Sequence, residues 1–218
     1  LHKEYRRQRQ MCIRDSFPGW PQGLVASYPV PRGASAAGHF PLVRHAFRGA
    51  SVTTRAVLLD AFGTLLAMEP PAPVLTGLLA DAGYDFPEPT VADALAAEIR
   101  HYRVHMQRGA DAEGLADLRA ECAGVLVQSL GDGAPPVPLA TELLVESLRF
   151  RLHDDALPAM DALSDRGMVL GVVSNWDCAL PTHLERLGVR DHFAVVAASA
   201  PVGARKPDPA IFRHALAA

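Results

Sequence analysis

A chain of 218 residues is long enough for one domain, or for one domain that carries an insertion. Hydrophobic residues make up 49% and charged residues 21%, and the net charge of −3 gives no basis for a nucleic-acid partner. No apolar run approaches the ~18 residues that a membrane helix needs, so neither a membrane partner nor a secretory signal is predicted. The 3 cysteines lack CxxC spacing, which indicates reduced thiols in a cytoplasmic protein rather than disulfides or a zinc site.

The first fifty residues are predicted to lie outside the folded protein. Residues 1–16 are polar and basic, which favours a disordered tail over an arm that binds nucleic acid or membrane. The string QRQMCIRDS within them resembles translated sequencing adapter, and residues 17–50 are rich in proline and glycine. We therefore predict a non-native or disordered extension over residues 1–50, with the ordered protein beginning near Val52.

The ordered part begins with an apolar run that ends at a carboxylate, VLLDAFGTLL from Val57 onward. Such a run, bounded by turn residues, is typical of a buried strand in a parallel sheet, and we predict this strand at about 55–60. An Asp at the carboxyl end of a strand lies where open α/β sheets bind ligands, and Gly63 permits a sharp turn there. Asp60 is therefore a candidate site residue, although an Asp that caps the following turn fits the same pattern.

Helical periodicity without a strand pattern extends from Val74 to Leu152 and predicts four helices. Thr90 is the predicted N-cap of the second helix, with Asp93 three residues later. An all-helical block inserted directly after the first strand has the outline of a cap domain, which we place at residues 69–152. His101 and His105 on the second helix have the spacing of a metal pair, but the arginines around them favour a solvated helix face.

The sheet resumes after the helical block. Two further strands are predicted at 168–173 and 193–199, and alternation of strand and helix implies a parallel sheet. A last helix is predicted to begin at Pro209, with Asp208 as its N-cap. The α/β core is therefore assigned to residues 51–68 and 153–218.

Polar residues follow each predicted strand and are expected to converge, since the carboxyl ends of parallel strands share one edge of the sheet. These residues are Asp60, Ser174, Asn175 and Lys206. A carboxylate can attack an electrophile and form a covalent intermediate, while a hydroxyl and a lysine can hold phosphoryl oxygens and neutralise their charge. Ser174 alone could be a turn hydroxyl and Lys206 a surface lysine. Their joint occurrence at successive strand ends favours an active site.

Three motifs resemble those of the haloacid dehalogenase-like (HAD) hydrolase superfamily over about residues 55–218: DAFGTLL at Asp60, VVSN ending at Asn175, and GARKPDPAIF around Lys206. The resemblance implies an α/β fold, with a Rossmann-like parallel sheet core, incomplete in this chain, and an inserted all-helical cap domain. It also implies that Asp60 is the nucleophile and that Ser174, with Asn175 beside it, binds the transferring group. Lys206 would bridge nucleophile and substrate.

The resemblance assigns further roles around the nucleophile. Gly63 and Thr64 would contribute to phosphate binding. In Mg²⁺-dependent members, the Asp60 carboxylate and the backbone carbonyl of Phe62 would bind the metal, with the remaining acidic ligands beyond Ala218. Phe62 stands where phosphatases of the family usually carry a second Asp as general acid, and loss of such help costs roughly 10²–10⁴-fold for a poor leaving group. We expect the sequence to be a C-terminally truncated fragment that folds poorly and is inactive.

Three functions remain open at the level of sequence. The first is a Mg²⁺-dependent hydrolase of phosphoric esters, acting on a small phosphorylated metabolite through an aspartyl-phosphate on Asp60. The second is a metal-free 2-haloacid dehalogenase that forms an aspartyl ester; halide needs no proton, but no arginine lies between Asp60 and Arg100 to hold a substrate carboxylate. The third is a non-catalytic relative that binds a ligand, which Phe62 permits. The sequence determines neither the small-molecule substrate nor the oligomeric state.

Overall fold

The computed structural model describes residues 55–218, which belong to one compact unit. The extension predicted over residues 1–50 lies outside the described residues. The strands are β1 (Ala56–Leu59), β2 (Leu66–Met68), β3 (Phe150–Leu152), β4 (Val169–Ser174) and β5 (Val195–Ala198). The α-helices are α1 (Pro71–Asp81), α2 (Glu88–His105), α3 (Ala112–Leu130), α4 (Val137–Ser147), α5 (Ala156–Ser164), α6 (Leu180–Arg186), α7 (Ser199–Val202) and α8 (Pro209–Ala217).

A parallel sheet forms the core, as the sequence predicts, and its strand order is β1-β4-β5. Neighbouring residues of β4 point to opposite faces: Val172 packs in a cluster with α5 and α6, whereas Val173 packs with α8. Gly171 sits between Leu58 and Val195 of the flanking strands, and a Cβ atom there would lie 2.8 Å from a methyl carbon of each. Helices therefore cover both faces, as is usual for parallel sheets.

Helices α1 to α4 form a hydrophobic cluster of their own, and we call residues 71–147 the helical block. Its apolar positions, including Leu75, Leu118 and Leu126, are buried against one another. The predicted start of the second helix is wrong: α2 begins at Glu88, not after Thr90. Pro89 stands in the first turn, where the fixed φ of proline is tolerated and no N–H is needed, so the helix begins earlier than its Thr suggests.

A short antiparallel pair, β2 with β3, carries the chain into and out of the helical block, and we call it the connecting ladder. Met68 pairs with Phe150, and the Glu69 N–H donates to the Arg149 carbonyl at 2.9 Å. The expectation that residues 74–152 contain no strand is therefore wrong at its C-terminal end. A strand of 3 residues is too short for apolar alternation to be visible in a sequence.

The predicted N-cap of α8 is confirmed, because the Asp208 carboxylate accepts a hydrogen bond from the Ala210 N–H at 2.8 Å. Helix α6 is followed by Gly188, whose φ of +70° is a conformation that favours glycine and is common where helices end. Within residues 55–218, no helix is long and apolar enough to cross a membrane.

Candidate active site

Asp60 follows β1 directly, and three donors hold one oxygen of its carboxylate. Oδ1 accepts hydrogen bonds from the Ser174 hydroxyl at 2.8 Å and from the Ala61 N–H at 2.8 Å, and it pairs with Lys206 Nζ at 2.7 Å. None of the described residues donates a hydrogen bond to Oδ2, and 42% of the side chain is exposed. The carboxylate is thus fixed through one oxygen, and the other is available for chemistry.

The convergence predicted from the strand ends is observed. Ser174 is the last residue of β4 and is buried, and Lys206 lies in the turn between α7 and α8. Both reach the same oxygen of Asp60, although Ser174 is 114 residues from Asp60 in the chain. A carboxylate held in this way would lose little freedom if it attacked a substrate, which is how positioning contributes to catalysis.

Asn175 holds the main chain of Lys206. Its Oδ1 accepts from the Lys206 N–H at 2.7 Å, and its Nδ2 donates to the Lys206 carbonyl at 3.2 Å. The amide therefore joins the end of β4 to the turn from which the lysine reaches Asp60. The structure places Asn175 as a positioning residue for Lys206, and the predicted role of its side chain beside Ser174 in substrate binding stays a prediction.

The chain turns sharply after Asp60. Gly63 adopts a φ of +79°, and its N–H donates to the Leu66 carbonyl at 2.8 Å. Thr64 is exposed, and its N–H donates to the Ala61 carbonyl at 3.3 Å. These contacts shape the turn itself, and the phosphate-binding role assigned to Gly63 and Thr64 stays a prediction.

Phe62 places an aromatic ring two residues after Asp60. The ring is packed edge-on against Trp176 with a centroid distance of 6.3 Å, and the residue is 40% exposed. Trp176 in turn packs against Phe150 at 5.3 Å and against His183 at 5.7 Å. We call these four rings the aromatic group. It makes one side of the site apolar, and Phe62 offers no proton to a leaving group.

Two oxygens at the turn after β1 could bind a magnesium ion: Asp60 Oδ2 and the Phe62 carbonyl oxygen. Neither accepts a hydrogen bond from the residues that the structure describes. Mg²⁺ prefers oxygen ligands and commonly keeps several waters beside one or two carboxylates. Over residues 55–218, no group of three or more His, Cys, Asp or Glu side chains is placed to hold a metal. The described residues thus supply part of a ligand set, and that part fits Mg²⁺.

The histidine pair of α2 faces helix α3. The His101 and His105 rings are 4.4 Å apart, and His101 Nε2 lies 3.5 Å from a carboxylate oxygen of Glu121. Arg108 binds that carboxylate through two hydrogen bonds of 2.7 Å. The pair therefore lies beside the ion pair of Arg108 with Glu121, and both histidines are half-buried rather than fully solvated.

Contacts between the helical block and the core are the functional feature that the sequence did not reveal. The Tyr102 hydroxyl of α2 donates to Asp177 Oδ2 at 2.7 Å, just beyond Asn175. Burial and the negative charge of Asp177 raise the pKa of Tyr102, so its hydroxyl remains a donor at neutral pH. Asp177 also accepts a hydrogen bond from the Ala179 N–H at 2.8 Å, although α6 has no side-chain cap.

Two further hydrogen bonds cross the same junction. The Ser199 hydroxyl donates to Gln107 Oε1 at 2.9 Å, and the Cys178 N–H donates to the Gly109 carbonyl at 2.8 Å. Together with the bond from Tyr102, they join the end of α2 and the turn after it to the loop after β4 and to the first residue of α7. A single residue gives no sign of such contacts, because each depends on chain segments far apart in sequence.

Comparison with known proteins agrees with this geometry. A family model for haloacid dehalogenase-like hydrolases matches residues 54–218. Haloacid dehalogenase-like hydrolase domain-containing protein 3 of Mus musculus is 55% identical over 88 residues, which are 39% of this chain and 35% of that protein. The match thus spans about a third of the length of this curated relative.

Solved structures share the fold at low sequence identity. The putative HAD-hydrolase YfnB from Bacillus subtilis, bound to magnesium, has a TM-score of 0.55 at 18% identity, over 74% of this chain and 72% of that one. L-2-haloacid dehalogenase from Xanthobacter autotrophicus, with chloropropionic acid covalently bound, has a TM-score of 0.51 at 17% identity, over 74% and 63% of the two chains. Since the family model extends over the whole described core and helical block, the chain belongs to the haloacid dehalogenase-like hydrolases.

Proposed function

We propose that the protein hydrolyses phosphoric esters of small metabolites through a covalent aspartyl-phosphate on Asp60. The observation that carries this proposal is the carboxylate itself, which Ser174 and Lys206 fix through Oδ1 while Oδ2 has no described donor. A carboxylate oxygen of Asp60 attacks phosphorus, an O–P bond forms, and the bond from phosphorus to the ester oxygen breaks. Water then attacks phosphorus, which releases phosphate and restores the carboxylate.

Lys206 and Ser174 serve the substrate as well as the nucleophile in this proposal. The ammonium group of Lys206 is 2.7 Å from Asp60 Oδ1, close enough to reach a phosphoryl oxygen beside that atom. There it would neutralise charge as the O–P bond forms. The Ser174 hydroxyl would turn from Asp60 to a phosphoryl oxygen, and Asn175 would keep the lysine main chain in place.

Magnesium is the proposed cofactor, and its ligands in this part of the chain would be the Asp60 carboxylate and the Phe62 carbonyl. The acidic ligands that complete the set are proposed to come from sequence beyond Ala218. When bound, the ion would neutralise charge on the phosphoryl group. The magnesium-bound YfnB structure, which shares the fold, supports this choice.

Phe62 constrains the substrate in this proposal. Because no acid stands two residues after Asp60, the leaving group is expected to depart without protonation from that position. Esters of acidic alcohols or acyl phosphates should therefore react faster than simple alkyl phosphates. The exposed ring of Phe62 would meet an apolar part of the substrate.

The helical block is proposed to act as a cap that closes over the site, selects the substrate and excludes water. Its hydrogen bonds to the loop after Asn175, through Tyr102 and Gly109, support this proposal. We also propose that the protein is cytoplasmic, since Cys122 and Cys178 are both free thiols.

Dehalogenation of a 2-haloacid is the second candidate, and the absence of an acid at Phe62 favours it. There Asp60 would attack the carbon that carries the halogen, halide would leave without a proton, and water would hydrolyse the ester at its carboxyl carbon. Among residues 55–218, however, no arginine pairs with Asp60, Ser174 or Lys206 to receive a substrate carboxylate. A ligand-binding relative without turnover is the third candidate.

Turnover in H₂¹⁸O separates these candidates. Two proteins would be assayed: this chain, and a longer one translated from the reading frame past Ala218. Each would be given phosphate esters with Mg²⁺ or with EDTA, and 2-haloacids without metal. The proposal predicts Mg²⁺-dependent release of ¹⁸O-labelled phosphate with Asp60 unlabelled, whereas ¹⁸O in the Asp60 side chain would establish the dehalogenase. Asp60→Asn should abolish turnover, and the control Asp111→Asn, which keeps a capping side chain on α3, should not. If the chain, its extended form and the two variants all bind a ligand but none of them turns it over, the third candidate would be established.

A further inference from the structure

A cavity of about 200 Å³ lies between the connecting ladder and the end of α6. Six residues line it: Leu148, Arg149, Phe150, His183, Arg186 and Leu187. At ~30 Å³ for each water in the liquid, this volume equals about six or seven waters. It is smaller than the ≈ 300–1,000 Å³ of pockets for drug-sized ligands, so a ligand here would be small.

The lining is cationic. Arg149 and Arg186 are exposed, neither forms an ion pair with a residue that the structure describes, and no carboxylate lines the cavity. Burial lowers the pKa of His183, and the charges of Arg186 and Arg119 lower it further, while Asp177 acts in the opposite direction. The charge of Asp177 acts on the imidazole ring more strongly than either arginine, so the cationic character of the cavity comes from the exposed side chains of Arg149 and Arg186 themselves.

The remaining lining is apolar and aromatic. Leu148 and Leu187 contribute aliphatic surface, and the Phe150 ring packs edge-on against His183 with a centroid distance of 4.8 Å. Such walls suit a flat apolar body, while the two arginine forks suit a carboxylate, which they can bind through paired hydrogen bonds. The charged and the apolar parts of the lining therefore both fit a molecule that joins a carboxylate to a flat apolar body.

The favourable interaction of cations with the C-terminal end of a helix does not explain why both arginines line this cavity. His183 and Arg186 lie in the last turn of α6, where cations are favourable for any helix. Arg149 comes from the other side of the cavity, next to the connecting ladder, and its carbonyl accepts from the Glu69 N–H. A general preference of helix ends for cations gives no reason for a second arginine to reach the same cavity.

We propose that this cavity is a second binding site, separate from Asp60, for a small organic anion that carries one carboxylate on a flat apolar body. Its ligand would contact Phe150, whose ring packs against Trp176, and Trp176 packs against Phe62 beside the nucleophile. A ligand in the cavity would therefore change the environment of the Trp176 indole as well as that of the lining residues. The proposal does not depend on which reaction Asp60 performs.

Benzoate is a suitable probe, and benzamide is its neutral control of the same shape. Titration of the isotope-labelled full chain, followed by NMR, should give saturable shifts at Arg149, His183 and Arg186 with benzoate and much smaller shifts with benzamide. Benzoate should also raise the pKa of His183, because a bound anion favours the imidazolium ion.

Two double variants test the role of the arginines at equal loss of charge. Arg149→Gln/Arg186→Gln should weaken benzoate binding by about tenfold or more, since charge-assisted bidentate pairs are lost. The control Arg166→Gln/Arg213→Gln removes two exposed arginines elsewhere and should leave the affinity unchanged. All four arginines are exposed, so we expect both variants to fold. The NMR spectrum of each variant, compared with that of the wild type, checks this.

Four results would overturn the proposal. One is equal binding of benzamide and benzoate, which would show an apolar pocket without anion selectivity. Another is a set of shifts confined to Asp60, Ser174 and Lys206, which would place the anion at the Asp60 carboxylate instead. The third is equal weakening of benzoate binding in both double variants. The fourth is the absence of saturable binding at millimolar benzoate.

Discussion

Tyr102→Phe removes one hydroxyl from the junction between the helical block and the core and leaves the ring in place. The lost hydrogen bond is 2.7 Å long and ends on Asp177, which is 5% exposed. A hydrogen bond to a charged group is worth about 1.5–3 kcal/mol, and Asp177 would keep only its bond from the Ala179 N–H. We expect the free energy of unfolding to fall by about 2 kcal/mol, or ~4–8 °C in Tm for a folded unit of this size.

Urea unfolding measured at neutral pH gives this difference, and Tyr84→Phe is the matched control. The Tyr84 ring packs against the hydrophobic cluster of the helical block, and no hydrogen bond of its hydroxyl occurs among residues 55–218. That variant should lose less than about 0.5 kcal/mol. Equal losses in the two variants would refute the assigned role of the bond between Tyr102 and Asp177.

The same bond predicts a dependence of stability on alkaline pH. In the unfolded chain Tyr102 titrates near its ordinary pKa of 10.0, and in the folded protein burial and Asp177 raise that pKa. Its contribution to stability is therefore complete below pH 10 and is lost as the pH rises further, because the unfolded chain releases the proton first. Buried Cys122, whose pKa is also raised, acts in the same direction. Stability should thus fall less steeply above pH 10 in Tyr102→Phe than in the wild type.

Three further substitutions probe the sheet, the helical block and the site. Gly171→Ala should destabilise the protein by about 1–3 kcal/mol in urea unfolding, since its Cβ would lie 2.8 Å from side chains of both flanking strands; an unchanged midpoint would contradict the packing of β4. Glu98→Gln should stabilise the protein at pH 8 more than at pH 4, because burial raises the pKa of Glu98 and disfavours its ionised form; equal effects at both pH values would contradict this. Asn175→Ala should cost about 1–3 kcal/mol of stability and reduce kcat beyond the loss of folded protein, since it frees the Lys206 main chain. Asp111→Ala, with a similar loss of stability from an N-cap, should leave kcat unchanged.

The parts of the fold that depend on neighbouring residues were predictable from the sequence. Apolar runs that end in polar residues indicated β1, β4 and β5, and a periodic spacing of leucines indicated the helices of the block. The convergence of Asp60, Ser174 and Lys206 followed from one topological rule, that parallel strands end at the same edge.

The parts that depend on distant segments were not predictable. Strand β3 exists because Phe150 lies opposite Met68, and nothing within its own sequence signals that partner. The two hydrogen bonds between Asn175 and the Lys206 main chain were missed for a related reason: an amide beside a serine at a strand end suggests substrate binding, and only the fold shows which main chain passes close to it. Tyr102 carried no signal at all, since an aromatic residue on an amphipathic helix is ordinarily a packing residue.

The role of Asp60 as the covalent nucleophile is tested most directly by trapping the intermediate. A reaction with a phosphate ester and Mg²⁺ is quenched during turnover with borohydride, which reduces an acyl phosphate to an alcohol, and the peptides are then analysed by mass spectrometry. We predict that Asp60 alone is converted to homoserine, and that the conversion disappears in Lys206→Met or without substrate. Turnover with an unmodified Asp60, or with the modification on another residue, would contradict the assignment.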